Sequence, residues 1–148
     1  MSHVADVDIK ITDLQAFASA VTCLGGEYLP DETSIRWYGR FLNDWNSQMA
    51  AVNRISSERF GTTDAGVVRF PGVEYDMGLL KNDDGSYTPY FDSWGHGQKL
   101  AEKLGGLTCT KLKNEYAVAV ATRMAARKGF RVLRTTGSKG EIVLKATH

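Results

Sequence analysis

Apolar residues in this chain recur at every second position in most of its patterned stretches, and at helical intervals in two long ones. That mixture points to a sheet of short strands with helices laid upon it, because each half-apolar element must bury one face against another. From Val4 to Thr12, Val7, Ile9 and Ile11 alternate with Asp6, Asp8, Lys10 and Thr12, the period of a strand with one wet face. Thr12 and Gln15 then stand at capping-box spacing, and Leu14, Phe17, Ala18, Val21 and Leu24 follow at helical steps before Gly25-Gly26. A helix over about Asp13 to Leu24 is expected.

The strongest helix signal runs from Lys113 to Lys128. Leu112, Tyr116, Val120 and Met124 form a ridge four residues apart, and Ala117, Ala121 and Ala125 flank it with small side chains suited to packing on a sheet. Gly129 ends it, and Arg127 and Lys128 favour its negative end. A shorter helix is expected from Gln98 to Leu104, between glycines.

Further strands are expected at Ser34 to Phe41, Gly66 to Phe70, Tyr75 to Leu80, Tyr87 to Asp92, Phe130 to Arg134 and Glu141 to Lys145. Asn82-Asp83-Asp84-Gly85 joins two of these into an antiparallel hairpin, and the turn from Gly137 to Gly140 joins the last two. Asn43 to Gly61 reads as a short helix and a loop. The expected fold is an α+β two-layer sandwich: a mainly antiparallel sheet with two main helices packed on one face and the other face partly solvated. Its 148 residues suit one domain over 1–148, with an insertion-like segment around 41–65.

With 43% apolar and 24% charged residues, a disordered tail is excluded. No apolar run reaches the roughly 18 residues of a membrane span, and the N-terminus lacks a signal-peptide core, so a cytoplasmic location is expected. Cys23 and Cys109 stand far apart without a CxxC partner and are expected to be reduced thiols. The formal net charge of +1 hides a split: residues 1–98 carry 7 of the 18 basic and 14 of the 17 acidic side chains, and residues 99–148 carry the rest. This suits a basic face for nucleic acid, a basic face for an acidic partner, or self-complementary assembly, and interleaving of the two parts in space would cancel it.

Candidate sites follow from these patterns. Trp37, Tyr38, Phe41 and Trp45 are the densest aromatic cluster; with Arg36 and Arg40 beside them they suit a protein-binding anchor, although core packing is the commoner use of such residues. Arg123, Arg127, Lys128, Arg131, Arg134 and Lys139, joined by Lys145, form a basic set on the last helix and hairpin. With Trp37, Tyr38, Tyr87 and Tyr90 on strands, they suit single-stranded nucleic acid or a nucleotide. Asp92 and His96, with Asp76 on the paired strand, suit a small metal-dependent enzyme, but no HExxH and no second histidine at ligand spacing accompanies them. The glycine pairs contain neither GxxxxGK[ST] nor GxGxxG, so they read as helix ends, and no cofactor is expected.

Five short strings occur in order: Met1-Ser2-His3, Tyr75-Asp76-Met77-Gly78, Asp92-Ser93-Trp94-Gly95, Glu115-Tyr116-Ala117 and Gly129-Phe130-Arg131-Val132. As an ordered set they resemble the conserved hypothetical chloroplast reading-frame family, which has plastid, cyanobacterial and phage members. Trp37-Tyr38-Gly39-Arg40, and the departure from the short plastid form between Arg40 and Gly66, resemble the longer phage-type members. The resemblance covers about two thirds of the chain. It implies a phage or bacterial source and names an AAA-type ATPase as a candidate partner. It carries over no catalytic residue. The function expected is non-enzymatic: a binding, adaptor or assembly protein that meets a protein partner or its own copy, with nucleic-acid or nucleotide binding and a small metal enzyme as the alternatives.

Overall fold

The computed structural model of the protein describes residues 4–37, 59–93 and 95–148. Its main sheet has the strands β1 (Val4–Asp6), β2 (Glu27–Leu29), β3 (Val67–Arg69), β4 (Met77–Lys81) and β5 (Tyr87–Asp92) in the order β1-β5-β4-β3-β2, with every pair antiparallel. Among the described residues three helices, α1 (Leu14–Cys23), α2 (Gly97–Leu104) and α3 (Thr110–Arg127), accompany it. A second sheet is a ribbon of two strands, β6 (Arg131–Thr136) and β7 (Ile142–Thr147). The α+β layering read from the sequence is the observed one.

β1 and β2 lie at opposite edges, so α1 carries the chain across about 19 Å of sheet, four strand spacings. Asp13 starts the helix: its Oδ1 accepts the N–H groups of Gln15 (3.1 Å) and Ala16 (3.0 Å). The cap thus sits one residue beyond the Thr12 of the expected capping box. Thr12 is held differently, its N–H and that of Asp13 donating to the Tyr116 hydroxyl at 3.0 and 3.2 Å. Ala16, Phe17, Ala20 and Val21 turn one buried stripe of α1 inward.

The first strand is shorter than its alternation suggests. Asp6 lies opposite Tyr90 but Ile11 opposite Tyr87, so five steps on one side meet three on the other. The excess is taken up by a bulge in which the Ile9 N–H turns back to the Val7 carbonyl at 2.8 Å. Val7 and Ile11 still reach the core. The β4–β5 hairpin keeps its expected place, with Gly78 opposite Tyr90 and Lys81 opposite Tyr87. Gly85, at φ 88°, supplies the positive φ of its turn. β2, three residues between Gly26 and Pro30, escaped the sequence reading because it is too short to show a period.

The helical face of the sheet presents Val68, Met77, Leu79 and Phe91 to Phe17, Val21, Leu100, Leu104 and Leu112. α2 begins so close to the end of β5 that a Cβ on Gly97 would lie 1.7 Å from the Asp92 carbonyl oxygen. On the opposite face, Val67, Leu80 and Tyr90 form a smaller buried cluster with Ile35 and Phe60. That face is therefore covered in part by residues 34–37 and 59–65. The described part of the expected Ser34 to Phe41 strand is extended, with a bridge from Ser34 to Thr62 and Ile35 N–H donating to the Gly61 carbonyl at 2.9 Å. Its remainder, and the expected short helix after Asn43, lie outside the described residues up to residue 58.

Buried Thr63 joins this cover to the sheet. The Leu79 N–H donates to its Oγ1 at 3.0 Å, and the hydroxyl donates onward to backbone carbonyls. No helix among the described residues is long and apolar enough to cross a membrane.

Candidate interaction surface at the C-terminal arm

The last 39 residues form an arm whose root is buried and whose tip is not. In α3 the ridge begins as expected: Leu112 and Tyr116 are buried. It then leaves the core, with Val120 half-buried and Met124 53% exposed, and the flanking Ala117 and Ala121 exposed as well. Those alanines were expected against a sheet, but α3 packs on α1, α2 and the small β6–β7 ribbon, and leaves Ala117 and Ala121 to solvent. Gly129 stops the helix at φ 82° and the chain returns as β6.

β6 and β7 pair along their whole lengths, from Arg131 opposite Thr147 to Thr136 opposite Ile142. The turn is closed by Gly137 N–H on the Glu141 carbonyl (2.8 Å) and by Lys139 N–H on Glu141 Oε2 (2.9 Å). Alternation splits the ribbon into two faces. Val132, Ile142 and Leu144 are half-buried on the face whose Arg134 grips Glu115 of α3 with two bonds of 2.7 and 2.6 Å. The Arg134 hydrogen bonds hold the Glu115 carboxyl below the usual range, against the opposing effect of its partial burial. The other face carries Arg131, Leu133, Thr135, Val143 and Lys145, with Leu133 55% and Val143 44% exposed.

This ribbon was expected to belong with the other antiparallel strands, yet it joins no strand of the main sheet among the described residues. β6 is steadied by α3 and by the Phe130 and His148 rings, 4.2 Å apart, while β7 has β6 as its principal neighbour and no strand on its outer edge among the described residues.

The structure sorts the expected basic set. Arg123 is tied to the α1 cap, its Nε 2.7 Å from Asp13 Oδ2, and Arg134 is tied to Glu115. Arg127, Lys128, Arg131, Lys139 and Lys145 are exposed and in no ion pair among the described residues. Of the expected aromatic platform, the described Trp37, Tyr87 and Tyr90 belong to the main sheet's packing instead. Tyr90 is fully buried, donating its hydroxyl to the Thr62 carbonyl and accepting the Gly61 N–H; burial pushes its pKa up to about 12. Tyr87 packs against the helical core on the other side of the sheet.

Of the expected partner-binding residues, Trp37 is half-buried and edge-on to Phe60, centroids 4.3 Å apart. Arg36 is committed to Asp76, and Tyr38, Arg40 and Trp45 lie outside the described residues. Asp76, expected on the paired strand as a companion of Asp92 and His96, lies just before β4 and is held by two arginines. Its side chain is 0% exposed, and it accepts Arg36 Nε (3.0 Å), Arg69 Nε (3.1 Å), Arg69 Nη2 (2.9 Å) and the Arg36 backbone N–H (3.0 Å). Burial pushes its carboxyl up, but the two guanidiniums outweigh burial and hold it below the usual range. An aspartate within the expected apolar strand Tyr75 to Leu80, seven residues after an arginine on the neighbouring expected strand, was the signal available for that pairing.

The two arginines border an open hollow of about 520 Å³ lined also by Gly25, Gly26, Pro71 and Glu74. A second hollow of about 840 Å³ lies where α2 turns into α3, beside Gln98, Leu107 and Lys111. Asp92 is buried, and His96 Nε2 lies 3.5 Å from Glu74 Oε2 with its ring tilted over Tyr75. Among the described residues no three His, Cys, Asp or Glu side chains converge as a metal would require. Both cysteines are free thiols, Cys23 exposed and Cys109 buried. Compared with family models, curated proteins and solved structures, the chain matches none.

Proposed function

We propose that this chain is a non-enzymatic binding protein, an adaptor or assembly component, whose contact surface is the arm formed by the far half of α3 and the β6–β7 ribbon. One observation carries the reading: a two-stranded ribbon outside the main sheet, with Leu133 and Val143 turned to solvent and the β7 edge unpaired among the described residues. A lone hairpin is marginal in water, and an open, weakly charged strand edge is a ready template for a partner. Exposed apolar side chains at such a place are what a partner would bury.

The resemblance to the chloroplast reading-frame family makes an AAA-type ATPase the candidate to look for among such partners. Affinity purification of the full chain from its native host or infected cell is expected to recover a specific protein, and Leu133→Asp with Val143→Asp is expected to lose it while the melting temperature stays within a few degrees. Recovery unchanged by both substitutions would move the contact surface off the arm.

A second reading has its own support. Arg127, Lys128, Arg131, Lys139 and Lys145 gather on the same arm five exposed cations that have no ion pair among the described residues. Binding to a single-stranded oligonucleotide through them would weaken as salt rises, with a logarithmic slope of roughly −0.7 for each phosphate neutralised. A flat titration would remove this reading.

A further inference from the structure

The β7 edge favours one occupant by its own sequence. Ile142-Val143-Leu144-Lys145-Ala146-Thr147 has a single charge in six residues, and Glu141 stands just before it, held at the strand's start by the Lys139 N–H. Edges of natural sheets are usually guarded by several charges, prolines or bulges, and this one has none of the last two. An antiparallel copy of the same strand, placed about a two-fold axis through Val143, sets Ile142 opposite Leu144 and Lys145 opposite Glu141, each twice. Neighbouring registers lose this. Centring on Leu144 puts Lys145 against Val143. Centring between the two puts Lys145 against Ile142 and joins the outward face of one copy to the helix-covered face of the other.

β6 offers no comparable edge. Its charges are Arg131 and Arg134, both positive, so a symmetric pairing there would gather four cations and disturb the Arg134–Glu115 fork. We propose that a second copy of this chain occupies the β7 edge, β7 pairing antiparallel with β7 about a two-fold axis at Val143. The product is a four-stranded sheet, β6-β7-β7-β6, with both α3 helices on one side and Leu133 and Val143 of both copies forming one apolar stripe on the other. Four strands with an apolar face reach the size that holds on its own, which two do not. The inference rests on the arm being the contact surface and adds what it contacts.

The test uses the full chain with Cys23→Ser, which removes the exposed thiol. Val143→Cys is expected to form a disulfide-linked dimer under mild oxidation, since directly opposed strand positions have Cβ atoms about 4.5 to 5.5 Å apart. Leu133→Cys is expected not to do so, being about 20 Å from its counterpart, three strand spacings across and four residues along the strands. In sedimentation velocity without these cysteines, Lys145→Glu is expected to weaken the dimer about tenfold by facing Glu141, and adding Glu141→Lys to restore it.

A dimer that persists through Lys145→Glu and yields no Val143→Cys crosslink overturns the inference by placing the two-fold elsewhere. A chain that is monomeric at every concentration, yet loses a co-purifying protein on Leu133→Asp and Val143→Asp, overturns it while the arm remains the contact surface. A monomer indifferent to those substitutions overturns both.

Discussion

Asp76 shows how much one side chain can organise. Its carboxylate receives Arg36 from the covering segment and Arg69 from β3, so three separate stretches of chain meet on one buried charge. Its folded pKa lies below the ordinary value of 3.8, so the stabilisation it contributes is complete above about pH 4 and is lost as pH falls through the lower folded value. Asp76→Asn is therefore expected to cost about 2 to 3 kcal/mol at neutral pH and to flatten the acid limb of the stability profile, measured by urea unfolding between pH 2 and 7. The cost sits toward the low end for breaking a buried pair because Arg36 and Arg69 keep access to water.

The two cysteines make a second prediction at this scale. Cys109 is fully buried at the start of α3 with φ 54°, and burial pushes its thiol up to about 12, outweighing nearby Lys113. A thiol reagent at neutral pH is expected to modify Cys23 alone in the native chain and both after unfolding, read by mass spectrometry.

Among the elements, α1 and α3 depend on each other through polar contacts as well as apolar ones. The Tyr116 hydroxyl accepts two backbone N–H groups at the entry to α1, and Arg123 reaches the Asp13 carboxylate that caps it. Tyr116→Phe preserves the ring but leaves both donors short of a partner. It is expected to cost about 1 to 3 kcal/mol in thermal or chemical unfolding, against a few tenths for a hydroxyl that touches only water. The sequence placed α1 and α3 well because their stripes persist for several turns. It could not foresee that Tyr116 would serve the other helix, since the two positions are more than a hundred residues apart.

Across the whole molecule, apolar side chains are divided between a core shared by sheet and helices and an arm that holds several of its own outside. Leu79→Ala, in the centre of β4, is expected to cost about 2 to 5 kcal/mol, whereas Leu133→Ala is expected to change the unfolding free energy of the dilute chain by less than about 0.5 kcal/mol. Equal losses would mean that Leu133 is buried in the folded unit. The alternation of β6 and β7 was visible in the sequence, as was the turn between them. Their separation from the main sheet was not, because a period of two describes a strand's faces and says nothing of its neighbours.

By itself the sequence determined the local elements: the β4–β5 hairpin with its Asn82 to Gly85 turn, the capped stripe of α1, the ridge of α3 and the final ribbon. These depend on spacing and turn geometry within a dozen residues. Tertiary structure alone decided that Asp76 would be enclosed by two arginines, that Tyr90 would be buried, and that Arg123 and Arg134 would be tied while Arg127, Lys128 and Arg131 stayed exposed. Each of those outcomes depends on which distant stretch arrives alongside. Pairing between strands and docking between helices are set by the packing of the whole chain, to which no single window of sequence has access.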